Sequence, residues 1–454
     1  MSLRNVVAKN TLVQLVGRSI TSISAFIVTI LIARTFGVDV YGNLIKILSY
    51  VLIFDLAVDF GLNAVVVKKL GQAKQSNILG QLFTTRIILG VILTTVVALS
   101  VLMLPQAKTV GGSGFSTAAK LGIILFSPTI LFAAIIKSCN AYFQYKLRYD
   151  RSTIATAAGG IVSLLIVLLL VLSNTKSLLL LTGAYLIASI VHSLLAFYFF
   201  IKLKPQLVKL KLELKSTYPL LKQTFPLGLA LVFNVAFFRI DTLLLTYLRS
   251  TTEVGLYGLA YKFFELPLAL PHFFMNAVFP VLASYRLAKN QSSQKFFQLV
   301  FKSGYILLTT SFALAILLWF AAPLIQLIKS DFIGSIQLFR ILILWLPLFF
   351  ASSLLMWAVI ARGARWSLTW IYGLGLILNL TLNIKFIPIY GATGAAYITG
   401  ITELLILSLL FLYFIHQNQN RGEPYAQNQG RKEYKEHRTT DFRDFLKSEK
   451  DIYQ

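Results

Sequence analysis

Between Glu253 and Pro280 the chain is mostly apolar and long enough to cross a bilayer, yet this stretch carries Lys262, Glu265, His272 and Asn276. These residues follow one another at steps of three, seven and four, so a helix turns all of them onto one face. A charged side chain near the bilayer centre costs at least ~2.5 kcal/mol, so the stripe must face protein or a wet cavity rather than lipid. The chemistry on offer is recognition of an anion: Lys262 donates to it, and Glu265, one helical turn away, holds the ammonium in place. His272 either titrates near neutral pH or packs through a hydrogen bond. Tyr257-Gly258 opens the segment just before Lys262, and Tyr41-Gly42 stands in the same relation to Lys46 far upstream.

Other ionisable groups fall inside apolar runs, where they are functional candidates by default. Arg18 and Lys46 from the first half, with Arg239 and Lys262 from the second, are expected to converge on a central cavity. Asp55 and Asp59, one turn apart, serve either as partners for Arg18 or Arg86 or in coupling. Asp241 shares a face with Asn234, and Glu403 near mid-depth is either a proton carrier or a packing carboxyl. Arg86, Lys302 and Arg340 lie near helix ends and are read as snorkelling to the headgroups. His192, His272, His416 and His437 are scattered, so neither a zinc site nor a His-based catalytic set is expected. Gly111-Gly112-Ser113-Gly114 has no following Lys-Ser/Thr pair and reads as a flexible external loop rather than a phosphate cradle. Cys139, the only cysteine, reads as a packing residue. No catalytic residue, metal or cofactor is expected.

The elements that must position these groups follow from composition. Of 454 residues, 57% are hydrophobic and only 13% charged, against roughly 25% charged in soluble domains. Repeated apolar runs of about 20 residues, without the alternation of a barrel strand, predict an all-α polytopic membrane protein. Twelve spans are expected, near 11–33, 44–67, 79–103, 118–137, 153–173, 178–201, 223–248, 256–284, 298–321, 335–360, 366–387 and 392–415. A net charge of +25 would suggest nucleic acid in a soluble protein, but here the basic residues crowd into alternate connections. One set includes Lys68, Lys69, Lys74 and the lysines of 202–222; the other carries single cations such as Arg34, Lys108 and Arg249. That bias puts both termini in the cytoplasm and removes the need for a nucleic-acid partner. The first apolar run lacks a small-residue cleavage site and reads as a retained span.

The Tyr-Gly echo recurs 216 positions on, at the start of the second span of each six-span half. Six spans return the chain to its starting side, so the halves are expected as parallel-repeat bundles. The expected organisation is a bundle over 1–204, a basic cytoplasmic linker over 205–222, a second bundle over 223–415 and a polar cytoplasmic tail over 416–454.

These residues resemble the polysaccharide repeat-unit flippases (Wzx-like) of the multidrug/oligosaccharidyl-lipid/polysaccharide exporter superfamily. The resemblance is carried by Leu31-Ile32-Ala33-Arg34, Phe36-Gly37, Tyr41-Gly42 and Asp59-Phe60-Gly61-Leu62 in the first half. Arg239-Ile240-Asp241, Val254-Gly255-Leu256-Tyr257-Gly258 through Lys262, Phe279-Pro280, Leu378-Asn379 through Asn383, Ile387-Pro388 and Tyr390-Gly391-Ala392 carry it in the second. It implies a V-shaped pair of six-helix bundles in the inner (cytoplasmic) membrane, working by alternating access. The implied substrate is a polyprenyl-pyrophosphate-linked oligosaccharide destined for O-antigen, capsule or exopolysaccharide, met by Arg18, Lys46, Arg239 and Lys262. Implied partners are membrane lipids, a polysaccharide polymerase and glycosyltransferases. Two extra helices usual in the relative that flips the peptidoglycan precursor are absent, which points to another glycan. Asp55, Asp241 and Glu403 leave open a cation-coupled multidrug exporter, although the paired Tyr-Gly-x-x-x-Lys pattern would repel a cationic drug. A third reading is a membrane scaffold that docks glycan-synthesis enzymes through its basic loops and tail.

Overall fold

The structure, a computed structural model, describes residues 3–63, 66, 70, 78–109, 111–203, 214–285, 292–362 and 365–419. The basic linker as far as residue 213 and the tail beyond 419 lie outside them. The described chain is nearly all helix, with one isolated bridge between Gln106 and Phe115. Its helices are α1 (Leu3–Asp59), α2 (Ile78–Ser100), α3 (Thr117–Phe126), α4 (Thr129–Tyr145), α5 (Tyr149–Leu172) and α6 (Leu178–Lys202). Then come α7 (Leu214–Leu248), α8 (Thr251–Ser284), α9 (Ser292–Ala321), α10 (Ile333–Leu344), α11 (Leu346–Ala361) and α12 (Arg365–Gln419).

Helices and expected spans do not map one to one. α1 has 57 residues and α12 has 55, whereas one crossing takes about 20. Each is broken once, at Gly37 (φ 81°, ψ 175°) and at Gly391 (φ 58°, ψ −142°). Positive φ is open to glycine because it lacks a Cβ, so each arm turns into the next without a loop. Proline does the opposite to the fourth and tenth expected spans. Pro128 separates α3 from α4, and Pro347 opens α11, which bends by 44° from the segment before it. Among the described residues eight helices are long and apolar enough to cross a membrane, or nine with that bent pair counted as one span.

α1 packs along α5 and also reaches α7 and α8, while α12 packs along α7 and against α11. A large buried cluster runs from Val28 and Ile32 through Phe264, Phe339 and Phe350 to Ile406. Two smaller ones lie in the first half, around Phe83 and Phe143, where Cys139 is buried, and around Val51 and Ile123. Outward faces are apolar as well, with Leu102, Leu169, Phe301 and Phe320 exposed, as expected of a surface that meets hydrocarbon.

The Tyr-Gly echo marks the place where the halves touch. A Cβ on Gly42 would lie 2.3 Å from the Thr251 carbonyl oxygen, and one on Gly255 2.4 Å from that of Val38. On Gly258 it would lie 2.8 Å from Ile45. The second arm of α1 therefore crosses the start of α8 backbone against backbone, which only small residues allow. Phe26 and Phe263 pack edge to face nearby at 5.0 Å. Gly42→Val should lower stability by about 1–3 kcal/mol through overpacking, read as an earlier thermal melt in detergent. Gly183→Ala, with nothing within 4 Å of the added Cβ, should melt with the parent.

Candidate functional site

Arg239 on α7 and Lys262 on α8 share one carboxylate. Glu265 accepts from the Arg239 guanidinium at 2.8 Å and from Lys262 Nζ at 3.3 Å. The three-residue step from Lys262 to Glu265 supplies the second contact by helix geometry alone; the first needs α7 alongside. All three side chains keep partial exposure (26%, 37% and 26%), so the cations are held yet reachable. Formally the triad carries one surplus positive charge.

Asp241, only two residues beyond Arg239, is buried and faces the other way. Its carboxyl accepts from Asn383 Nδ2 at 2.8 Å, Thr399 Oγ1 at 2.6 Å and the Tyr257 hydroxyl at 3.0 Å. Asn383 also donates to Asn379 Oδ1 at 2.9 Å, and Asn379 donates to Thr402 at 3.1 Å. The Asn383 side-chain oxygen is buried without a hydrogen-bond partner. The bend at Gly391 brings this cluster about: it folds the two arms of α12 so that Asn379 and Asn383 meet Thr399 and Thr402. Glu403, one turn after Thr399, is buried against the Ser352 hydroxyl of α11. Neither carboxyl makes an ion pair among the described residues.

The first-half carboxylates are paired. Asp55 binds Lys137 Nζ at 2.9 Å, and the same ammonium caps the Asp55 carbonyl at 2.6 Å. Asp59 pairs with Arg86. Arg86 does not snorkel, as expected from its position near a helix end, because it is fully buried on α2. An Arg that has a carboxylate within reach inside the protein gains more there than at the headgroups. Lys137, expected at a span's end, lies within α4 for the same reason.

Lys46, the repeat partner of Lys262, has a different environment. It is fully buried, and its Nζ donates to the Gly114 carbonyl and to Thr251 Oγ1, both at 2.7 Å. Around it the halves are laced together: Gly114 N–H donates to Thr246 O at 2.7 Å, Thr251 N–H to Gly111 O at 2.8 Å, and Thr252 Oγ1 to Asp39 at 2.7 Å. The glycine-rich segment expected to be a flexible loop is thus a clamp, with Gly111 and Gly114 at φ 77° and 90°. Beside it Glu253 holds Arg249 at 2.9 Å and the Ala392 N–H at 3.1 Å, just past the Gly391 bend.

Of the four expected cavity cations, the structure brings Arg239 and Lys262 together and sets Lys46 apart in the clamp. Arg18 lies on the first arm of α1, and its side chain is outside the described residues. His272 is exposed with its ring 5.8 Å from that of Trp357. Lys302 is exposed, while Arg340 stacks over Trp319 at 5.3 Å.

A sequence profile of polysaccharide biosynthesis proteins matches residues 7–286, more than half of the chain. The chain belongs to the polysaccharide biosynthesis protein family. No curated sequence matches it. Among solved structures it is similar to the lipid II flippase MurJ in an inward closed conformation, at 17% identity and TM-score 0.71, over 88% of this chain and 86% of that one. An inward-facing multidrug resistance transporter of the MATE family, in the MOP superfamily, gives 12% and 0.66 over 89% and 97%. A MOP superfamily transporter from Pyrococcus furiosus, described as having a binding pocket of reversed polarity, gives 12% and 0.64 over 91% and 95%. At these identities the likeness is one of fold, and with the long apolar helices it makes this family member a multi-pass helical membrane protein.

The Asp241 cluster in this family member draws on residues that sequence reasoning did not assign to a site: Tyr257, Asn379, Asn383 and Thr399. Asn379 and Asn383 share a helical face at a step of four, a usable signal; Thr399 lies across the bend and has none. With Asp39→Cys and Thr252→Cys in place, Lys46→Met should slow disulfide formation across the clamp about tenfold, as two buried acceptors lose their donor.

Proposed function

We propose that the protein carries a polyprenyl-diphosphate-linked oligosaccharide across the cytoplasmic membrane by alternating access, for assembly of a surface polysaccharide. The observation that carries this reading is the Arg239–Glu265–Lys262 triad, two half-exposed cations on a single carboxylate. A diphosphate is compact and strongly anionic, and Arg and Lys bind its oxygens by charge-assisted hydrogen bonds. Glu265 competes for the same donors, so the substrate is held without being trapped. Family membership and the exporter fold support the reading.

The chain crosses the membrane twelve times, as two six-helix bundles over 1–204 and 223–415 joined by the basic linker, with both termini in the cytoplasm. Two crossings each from α1 and α12, one each from the α3–α4 and α10–α11 pairs, and six from the remaining helices give that number. The Lys46 clamp is then the outer closure, and the opposite end admits the substrate. Arg18, on the first arm of α1, meets the diphosphate on entry rather than together with the triad. Asp241 and Glu403, buried without ion pairs, are the coupling groups, taking a proton or a monovalent cation; Asp55 and Asp59 are structural. O-antigen, capsule and exopolysaccharide units all fit this chemistry, and a polymerase and glycosyltransferases are the natural partners.

A second reading is a cation-coupled drug exporter, favoured by the Asp241 cluster and by the likeness to MATE transporters. The surplus positive charge at the triad argues against it. A scaffold for glycan-synthesis enzymes would need neither the triad nor the clamp.

Replacing Arg239 and Lys262 together by Gln should abolish surface glycan while leaving membrane insertion intact. Removing two charge-assisted hydrogen bonds to the diphosphate corresponds to about a hundredfold in affinity. Intact glycan with lost drug resistance would favour the exporter, and an effect from tail deletion alone the scaffold. Glu265→Gln should act in the opposite sense on binding: purified protein binds farnesyl diphosphate more tightly, while turnover falls. Asp241→Asn should leave that binding unchanged and remove the dependence of transport on the ion gradient.

A further inference from the structure

A second cavity, of about 420 Å³, lies away from the triad, between the first arm of α1, α4, α5 and one side chain of α8. Among the described residues, every lining one but Gly17 and Phe273 carries a hydroxyl or carboxamide, and none carries a charge. Inside a membrane protein an uncharged polar chamber is costly unless something fills its hydrogen-bonding capacity. Asn63 and Asn140 on its wall each hold a buried side-chain oxygen with no hydrogen-bond partner. Asn63 Nδ2 donates to Gln144 Oε1 at 2.9 Å, which presets two carboxamides as a pair.

Those described groups suit neither a diphosphate, which needs cations, nor a lipid tail, which needs an apolar wall, as well as they suit a neutral polar ligand. They fit a neutral glycan, whose hydroxyls both donate and accept and whose ring C–H face packs on an aromatic side chain. Phe273 is the one aromatic ring the second half contributes, beside Tyr149 from the first, so an occupant touches both halves. Phe273 also lies eleven residues beyond Lys262 on α8, roughly 16 Å along the helix. A single sugar attached to a diphosphate at the triad does not reach that far; a short oligosaccharide does.

Resting on the flippase reading, we propose that this cavity binds the uncharged sugars of the substrate distal to its diphosphate. The two sites together then measure glycan length. A lipid carrying one sugar engages the triad alone, and a lipid carrying a built oligosaccharide engages both. The protein thereby favours finished units over intermediates still under assembly on the same carrier.

The test uses the full chain purified in detergent and four probes: farnesyl diphosphate, and the same lipid carrying one N-acetylglucosamine, maltotriose or chitotriose. Affinity is read by thermophoresis. The monosaccharide probe should bind like the bare lipid, and at least one trisaccharide probe about tenfold more tightly. Gln144→Ala, Asn140→Ala and Phe273→Ala should each reduce that gain without changing affinity for farnesyl diphosphate. Phe273→Tyr, which keeps the ring, should retain it and serve as the folding control. A gain absent in the parent, or one that survives all three alanine variants, overturns the cavity assignment and leaves the flippase reading standing. Failure of all four probes to bind overturns both.

Discussion

Two helices approach only as closely as their side chains permit, and at one place in this protein they meet with almost none between them. Gly42 on α1 faces Thr251 and Gly255 at the start of α8, so that carbonyls and amides of the two halves come into contact. Bringing main chain from both halves together in an apolar medium creates a demand for hydrogen bonds. The 111–114 segment and the Lys46 ammonium meet that demand, and the bends at Gly37 and Gly391 place the remaining pieces around it. An ammonium bound to a carbonyl and a hydroxyl, with no carboxylate on it, forms a contact that can be exchanged for water when the ends separate. Glycine crossing and buried lysine together make the contact between the halves tight here, and the alternating-access reading would require it to be reversible.

The ionisable groups divide according to the partner each has found. Asp55 and Asp59 are neutralised by Lys137 and Arg86 within the first half, so they tie helices together. Among the described residues Asp241 in the second half is hydrogen-bonded by two hydroxyls and a carboxamide and Glu403 by one hydroxyl, with no ion pair on either. A carboxyl in that setting has hydrogen bonds to keep it in place and no fixed countercharge, which leaves it free to respond to a mobile one. Arg239 and Lys262 stand between these extremes, paired but outnumbering their carboxylate. Ion pairs occur in both halves, Arg249–Glu253 being one in the second, whereas the buried carboxyls without an ion pair among the described residues, Asp241 and Glu403, both belong to the second.

A substrate with a lipid tail, a diphosphate and a glycan presents three chemistries in sequence. On the reading proposed here the protein meets them with apolar outer faces, a half-exposed cation pair and a chamber whose described lining is polar and uncharged. The diphosphate is the invariant part of such a molecule and the glycan the variable one, so on that reading charge would supply hold and neutral hydrogen bonding discrimination.

Much of this was legible in the chain itself. Apolar runs, the scarcity of charge and the placement of Lys and Arg determine a helical membrane protein, because hydrocarbon leaves the backbone no other way to satisfy itself. The Tyr-Gly repeat suggested two like halves; that Gly42 and Gly258 lie where they cross is seen only in the structure. The pairing of Lys262 with Glu265 followed from helical spacing. What tertiary structure decided is which cation goes where. Lys46 and Lys262 share a local motif, yet one is buried in the closure and the other half-exposed beside Arg239, since their surroundings come from different segments of the chain. The Asp241 cluster depends likewise on a bend at Gly391 that folds two arms of one helix together. Periodicity determines which face a residue occupies; it says nothing of what the opposite face belongs to, and in a bundle that neighbour fixes the role.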